Sequence, residues 1–179
     1  EAVSSANLDG TKIGLQNTLD GSELTFSVAS TGHTQLTSTI VQVDLTTTLV
    51  NSLKALPAIF SADVSSYLSV QIELVKDLQG NLANPVKTTN SLKAATFVPD
   101  TTAAALKAFD LDLSLSKLYL EFDEPVDGSS VTPSEIILQG NADGSVAGYR
   151  LTGGTPEHVF ARMIEIDLTY ADVTTLKHR

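Results

Sequence analysis

The chain has no cysteine, no tryptophan and one methionine, and aromatic residues make up only 6% of it. Without thiols it can build neither a disulfide framework nor a thiolate metal site. Basic residues are scarce too: 11 Lys and Arg stand against 21 Asp and Glu, giving a formal charge of −10 and a pI near 4.5. Nucleic acid and anionic membranes need clustered Lys and Arg, so neither is expected as a partner. No run approaches the ~18 apolar residues of a membrane span, and no membrane insertion is expected. Signatures of chemistry are missing as well. The glycines form neither Gly-x-Gly-x-x-Gly nor a P-loop, and no serine lies in a Gly-x-Ser-x-Gly elbow. His33, His158 and His178 are not at zinc-ligand spacing. Glu121 and Glu124 have opposite strand parity and no aromatic platform, so they make a poor glycosidase pair. The chain is not expected to be an enzyme.

What the sequence does contain is itself, twice. Laying Glu1 on Glu124, an offset of 124 − 1 = 123 residues, aligns the two copies without a gap to the C-terminus. Ile13-Gly14-Leu15-Gln16 meets Ile136-Ile137-Leu138-Gln139, and Asp20-Gly21-Ser22 meets Asp143-Gly144-Ser145. Val41-Gln42-Val43-Asp44-Leu45-Thr46 meets Ile164-Glu165-Ile166-Asp167-Leu168-Thr169. A period of this length is a domain with its own core, too long for a short solenoid repeat. The expectation is about one and a half repeats, cut at both ends: 1–99 a repeat lacking its opening hairpin, 100–105 a linker, and 106–179 the first part of the next repeat. Entry in mid-repeat on Glu1, with no leader before it, suggests a piece of a longer processed chain.

Periodicity supplies the elements. Residues 11–16 and 23–29 read as strands joined through Asp20-Gly21, a hairpin dipeptide that returns as Asp143-Gly144. Val41, Val43 and Leu45 alternate with Gln42 and Asp44, the period of a half-buried strand, and the second copy keeps the pattern. Thr46 and Thr169 occupy N-cap positions of one short helix per repeat, whose Val50 and Leu53 share a face, with Pro57 closing the first. Ser66 to Val75 reads as one strand with Leu68, Val70, Ile72 and Leu74 inward and Ser69, Gln71 and Glu73 outward. Ala94 to Val98 reads as the last strand of the first copy. Beyond it, Phe109, Leu111 and Leu113 share one face, and after a turn at Ser114-Leu115-Ser116 Leu118, Leu120 and Phe122 alternate back. About seven short strands per repeat, with turns every ~8–12 residues, predict an all-β fold of tandem antiparallel β-sandwiches.

The stretch Leu118-Tyr119-Leu120-Glu121-Phe122-Asp123-Glu124-Pro125-Val126, followed by Ile136-Ile137-Leu138-Gln139, resembles the opening strands of bacterial-type immunoglobulin-like repeats of the Big/SbsA-like kind. Asp77-x-x-Gly80-Asn81 is similar to the late turn of such domains, and Phe97-Val98-Pro99-Asp100-Thr101-Thr102 to their junctions, although an alanine run follows here in place of proline. The resemblance implies an immunoglobulin-like module of microbial, algal or protist surface, adhesion or filament proteins, located outside the cell at the surface or on an appendage. It carries no catalytic residues.

The acidic groups are the one cluster with ligand chemistry. Asp77, Asn81 and Asp100 fall near the seam between copies, and Asp110 and Asp112 on the hairpin beyond it. These five are candidate ligands of a structural Ca²⁺, which takes six to eight oxygens. Asp77 and Asn81 are also turn formers, and Asp110 and Asp112 occupy outward strand positions. No other cofactor is expected. An isolated half-sandwich exposes an apolar face and unpaired edges. The partners expected are therefore neighbouring copies, as repeats of one chain or as subunits donating strands, with contacts over Leu68, Val70, Ile72 and Leu74. A carbohydrate- or ligand-binding sandwich of a surface or viral fibre protein, taking a glycan, is the rival reading. An accessory domain of a secreted enzyme is a third.

Overall fold

A computed structural model describes residues 2–21, 25–28, 30–56, 60–157 and 159–178. Pro57, His158 and part of the 23–29 strand lie outside the described residues. The chain divides into two compact units, Glu1–Thr101 and Thr102–Arg179. Both are built from small antiparallel sheets, and each has one short α-helix.

Unit 1 runs β1 (Val3–Ser4), β2 (Ile13–Gln16), β3 (Thr25–Ser27), β4 (Ser30–Thr37), β5 (Ile40–Leu45), α1 (Thr47–Lys54), β6 (Tyr67–Val70), β7 (Lys76–Asp77) and β8 (Leu92–Lys93). Its sheets are β3-β2-β6-β8, β4-β5 and β1-β7. Ile13, Leu15, Val28, Leu49 and Leu53 form the buried core. Unit 2 runs β9 (Leu106–Asp112), β10 (Lys117–Asp127), β11 (Ile137–Leu138), β12 (Tyr149–Arg150), β13 (Thr155–Pro156), β14 (Phe160–Asp167) and α2 (Tyr170–Lys177). Its sheets are β13-β14-β10-β9 and β11-β12. Leu118, Leu120, Leu151, Ile164, Ile166, Leu168 and Val173 form its core.

Local geometry recurs at the sequence interval of 123. Val28 N–H bonds to Ile13 O at 2.9 Å, and Leu151 N–H to Ile136 O at 3.0 Å. The pair Leu15↔Phe26 returns as Leu138↔Tyr149, and Gly32↔Asp44 as Thr155↔Asp167. The helix caps match as well: Thr46 Oγ1 accepts from Leu49 N–H at 3.1 Å, and Thr169 Oγ1 from Asp172 N–H at 3.1 Å. A Thr hydroxyl that satisfies an otherwise unbonded first-turn N–H fixes where each helix starts. Gly21 and Gly144 both sit at positive φ, +64° and +66°. A Cβ on Gly21 would stand 3.1 Å from Gln16 Nε2 and 3.2 Å from Thr88 O, whereas on Gly144 it would meet Gln139 Nε2 only at 4.0 Å. Both Gly→Ala changes incur the left-handed penalty of about 1 kcal/mol. In urea unfolding Gly21→Ala is expected to cost more than Gly144→Ala, because only Gly21 is also crowded.

The strand pattern departs from sequence expectation in two places. The strand expected over Ser66–Val75 ends at Val70: Gln71 N–H makes one more ladder bond, to Lys12 O, and the chain then turns, with Leu74 N–H folding back onto Gln71 O. As a result Ser69 is buried and Ile72 is 53% exposed, the reverse of the alternation. The last strand of unit 1 is Leu92–Lys93, not Ala94–Val98, since Leu68 and Tyr67 find their partners there. On β9, Phe109 and Leu111 are exposed although they pair with buried Leu120 and Leu118. The reason is position: β9 is the outer strand of its sheet.

Candidate functional site

Comparing the two units strand by strand locates what each leaves uncovered. In unit 1, β2 is flanked on both edges: β3 takes one, and β6 takes the other in the register Ile13↔Val70, Gly14↔Ser69, Leu15↔Leu68, Gln16↔Tyr67. In unit 2 the matching strand, β11, pairs among the described residues with β12 alone. Its second edge borders a groove of about 420 Å³ lined by Leu106, Phe109, Leu120, Ile137, Leu138 and Gln139, among others. Leu106, Phe109 and Ile137 are 52%, 57% and 45% exposed. Isolated exposed hydrophobes are ordinary, but contiguous apolar surface beside a strand edge that has no partner strand among the described residues is not.

Unit 1 has the complementary omission. In unit 2, β14 is covered on one edge by β13 and on the other by β10, with Leu118↔Ile166 and Leu120↔Ile164 as paired residues. In unit 1, β5 pairs among the described residues only with β4. Ile164, Ile166 and Leu168 are accordingly buried, while Val41 and Val43 are half-buried and Leu45 is exposed. A groove of about 480 Å³ lies against Leu45, lined also by Leu15, Leu53, Phe60, Phe97 and Val98. Contacts from a neighbouring copy were expected over Leu68, Val70, Ile72 and Leu74 or their sheet edge; β6, which carries Leu68 and Val70, lies between β2 and β8 in its sheet. Among the described residues β5 has one edge without a partner strand.

Two polar features escaped the sequence reading. Gln16 is fully buried, and its Nε2 donates to Thr18 O at 2.8 Å and Thr88 O at 2.9 Å. Its counterpart Gln139 is exposed and lines the unit 2 groove. Asp172 is also fully buried. Its carboxylate accepts from Tyr149 Oη at 2.8 Å, Thr152 N–H at 2.9 Å and Thr169 Oγ1 at 2.8 Å. Burial pushes its pKa up, and these hydrogen bonds outweigh it to hold the carboxyl below the ordinary value. The only sequence signal was an acidic residue in the first turn of a capped helix.

The candidate Ca²⁺ ligands are engaged locally. Asp77 Oδ1 accepts from Gln79 N–H at 2.9 Å and Asn81 N–H at 2.8 Å, and Asp77 Oδ2 from Asn81 Nδ2 at 2.8 Å, so these two candidates do come together, as a turn. The Asn81 amide, then the backbone amides, hold the Asp77 carboxyl below its usual range. Asp100 bonds to Lys54. Asp112 Oδ1 caps the β9–β10 turn, accepting from the Ser114 hydroxyl, Ser114 N–H and Leu115 N–H. Asp110 is an exposed residue of β9 opposite Tyr119. Among the described residues no group of three or more His, Asp or Glu could hold a metal ion. Because both Asp77 oxygens and Asp112 Oδ1 serve their own turns, millimolar Ca²⁺ is expected to leave the melting temperature of metal-free protein unchanged, and a rise would support the site.

Among the described residues no helix is long and apolar enough to cross a membrane. No protein-family model, curated protein or solved structure matches this chain.

Proposed function

We propose that the chain is a structural repeat module of an extracellular filament or cell-surface adhesive array, built of tandem immunoglobulin-like β-sandwiches that complete one another head to tail, along one polypeptide or between subunits. The observation that carries this is the recurrence, 123 residues apart, of strand pairs, helix caps and turn glycines with the same bonding partners. Two further features fit it. Among the described residues, each unit leaves open an edge that a strand covers in the other. No acid–base pair, nucleophile elbow or phosphate loop stands out in the sequence to suggest turnover. A contact in which unlike surfaces meet head to tail generates an extended filament wherever its rotation does not close into a ring.

The test is a concatemer of several consecutive 1–123 periods, whose every junction, Asp123 to Glu1, reproduces the natural Asp123–Glu124 step. Electron microscopy is expected to show beads in a row at constant spacing, with internal periods more resistant to urea than terminal ones. A collapsed or unfolded string would overturn the reading.

A further inference from the structure

We infer that the open edge of β11, with the groove beside it, is a docking site for one kind of occupant: an extended segment with the sequence pattern of Ser66–Lys93, supplied by a further copy of the repeat. This rests on the repeat reading above and adds to it the site, the register and the polar anchor.

Unit 1 displays the occupied form of the same edge. There Tyr67–Val70 lies antiparallel to Ile13–Gln16. Gln71 N–H bonds to Lys12 O. By the alternation of an antiparallel ladder, the backbone groups of Gly14 and Gln16 then face β6, while Ile13 O faces the other way, to Val28 N–H. Shifted by the repeat interval, the groups that face the open edge are those of Ile137 and Gln139. The side chains tell the same story. Gln16 is buried because the segment that follows β6 passes over it and presents Thr88 O to its amide, while Gln139 waits exposed at the equivalent place. Ile13 and Leu15 are buried, whereas Ile136 and Leu138 are only half-buried.

Charge favours the same occupant. Residues 66–93 carry Lys76, Lys87 and Lys93 against Glu73 and Asp77, a net of +1. Residues 102–179 carry 6 basic and 12 acidic residues, a net of −6. Main-chain pairing supplies the affinity of strand addition, and pockets for alternate side chains supply its selectivity. The apolar groove and the Gln139 amide are those pockets here.

The experiment adds a synthetic peptide of residues 66–93 to the whole 179-residue chain and follows amide hydrogen exchange by NMR. Unit 1 keeps its own copy of the segment bound intramolecularly, so the peptide meets only the unit 2 edge. Binding is expected at one peptide per chain, with new protection of the Ile137 and Gln139 amides. A Ser69→Pro peptide, which lacks the N–H that faces Gly14, is expected not to bind. Gln139→Ala in the chain, a change at an exposed residue, is expected to weaken binding roughly fivefold through one lost hydrogen bond. Absence of binding would overturn the docking inference, as would protection confined to unit 1. So would self-association of the chain through this edge that added 66–93 peptide fails to compete away, which would assign the edge to direct pairing of two β11 strands. A concatemer that still forms an evenly beaded row would show that the repeat reading survives that failure.

Discussion

Asp172→Ala is expected to destabilise unit 2 by about 3 kcal/mol, because it removes the one fully buried carboxylate that three part-buried donors share. Tyr149 Oη–H, Thr152 N–H and the Thr169 hydroxyl all lose their acceptor at once. Removing the carboxylate relieves its own desolvation, which keeps the loss below the sum of the separate bonds. Asp172→Asn preserves shape but turns an N–H₂ toward donors, and about 2 kcal/mol is expected. The pH dependence separates charge from packing. The folded-state pKa lies below the ordinary carboxylate value, with the hydrogen bonds overcoming the upward push of burial. The stabilisation is therefore complete above the unfolded pKa of about 4 and is lost as pH falls through the folded value. Urea unfolding read by NMR resonances of each unit should show this acid loss in the parent unit 2 and not in Asp172→Ala. At the matching place in unit 1 stands Leu49, which is buried. Leu49→Ala should also cost about 3 kcal/mol, as a cavity, but with no pH term from that site. Equal acid sensitivity of parent and Asp172→Ala in unit 2 would remove the charged network from the account.

The second large effect is an inequality between residues that the sequence treats alike. Ile166 and Val43 stand at the same place in the two copies. Ile166→Ala is expected to cost about 3–4 kcal/mol, and Val43→Ala about 1 kcal/mol. Ile166 is sealed beneath β10, where Leu118 is its cross-strand partner, and a cavity there cannot be refilled by water or by collapse. Val43 lies on a strand with one edge open among the described residues, and part of its side chain is already in solvent. The same pair of changes made inside the concatemer gives a sharper result. Within that longer chain each interior β5 gains a preceding hairpin, and the cost of Val43→Ala should rise toward that of Ile166→Ala. Equal costs in the 179-residue chain would mean that unit 1 is closed by itself and has no missing strand.

How much of this was readable beforehand follows a physical line. The caps at Thr46 and Thr169 were readable because a cap is a bond between residues three apart. The turn glycines were readable because a left-handed residue is a property of one position. The alternation in 41–45 and 164–168 gave the right strands. It could not say that one would be half-bare and the other sealed, since that depends on a hairpin more than 40 residues away. Ser66–Val75 failed for a related reason. Its alternation continues past Val70, but the chain turns just beyond Gln71, where Leu74 N–H folds back onto Gln71 O. Asp77 read both as a candidate metal ligand and, more simply, as a turn former, and its bonds from Gln79 and Asn81 are those of a turn.

By itself, then, the order of residues determined the local pieces and the interval at which they return, because turns, caps and strand faces are set by groups a few positions apart. Tertiary structure alone decided that Gln16 is enclosed and Gln139 bare, that Asp172 is a buried anchor, and which edges stay open. Burial is a relation between distant segments, and the same short sequence is core or surface according to whether another strand lies over it.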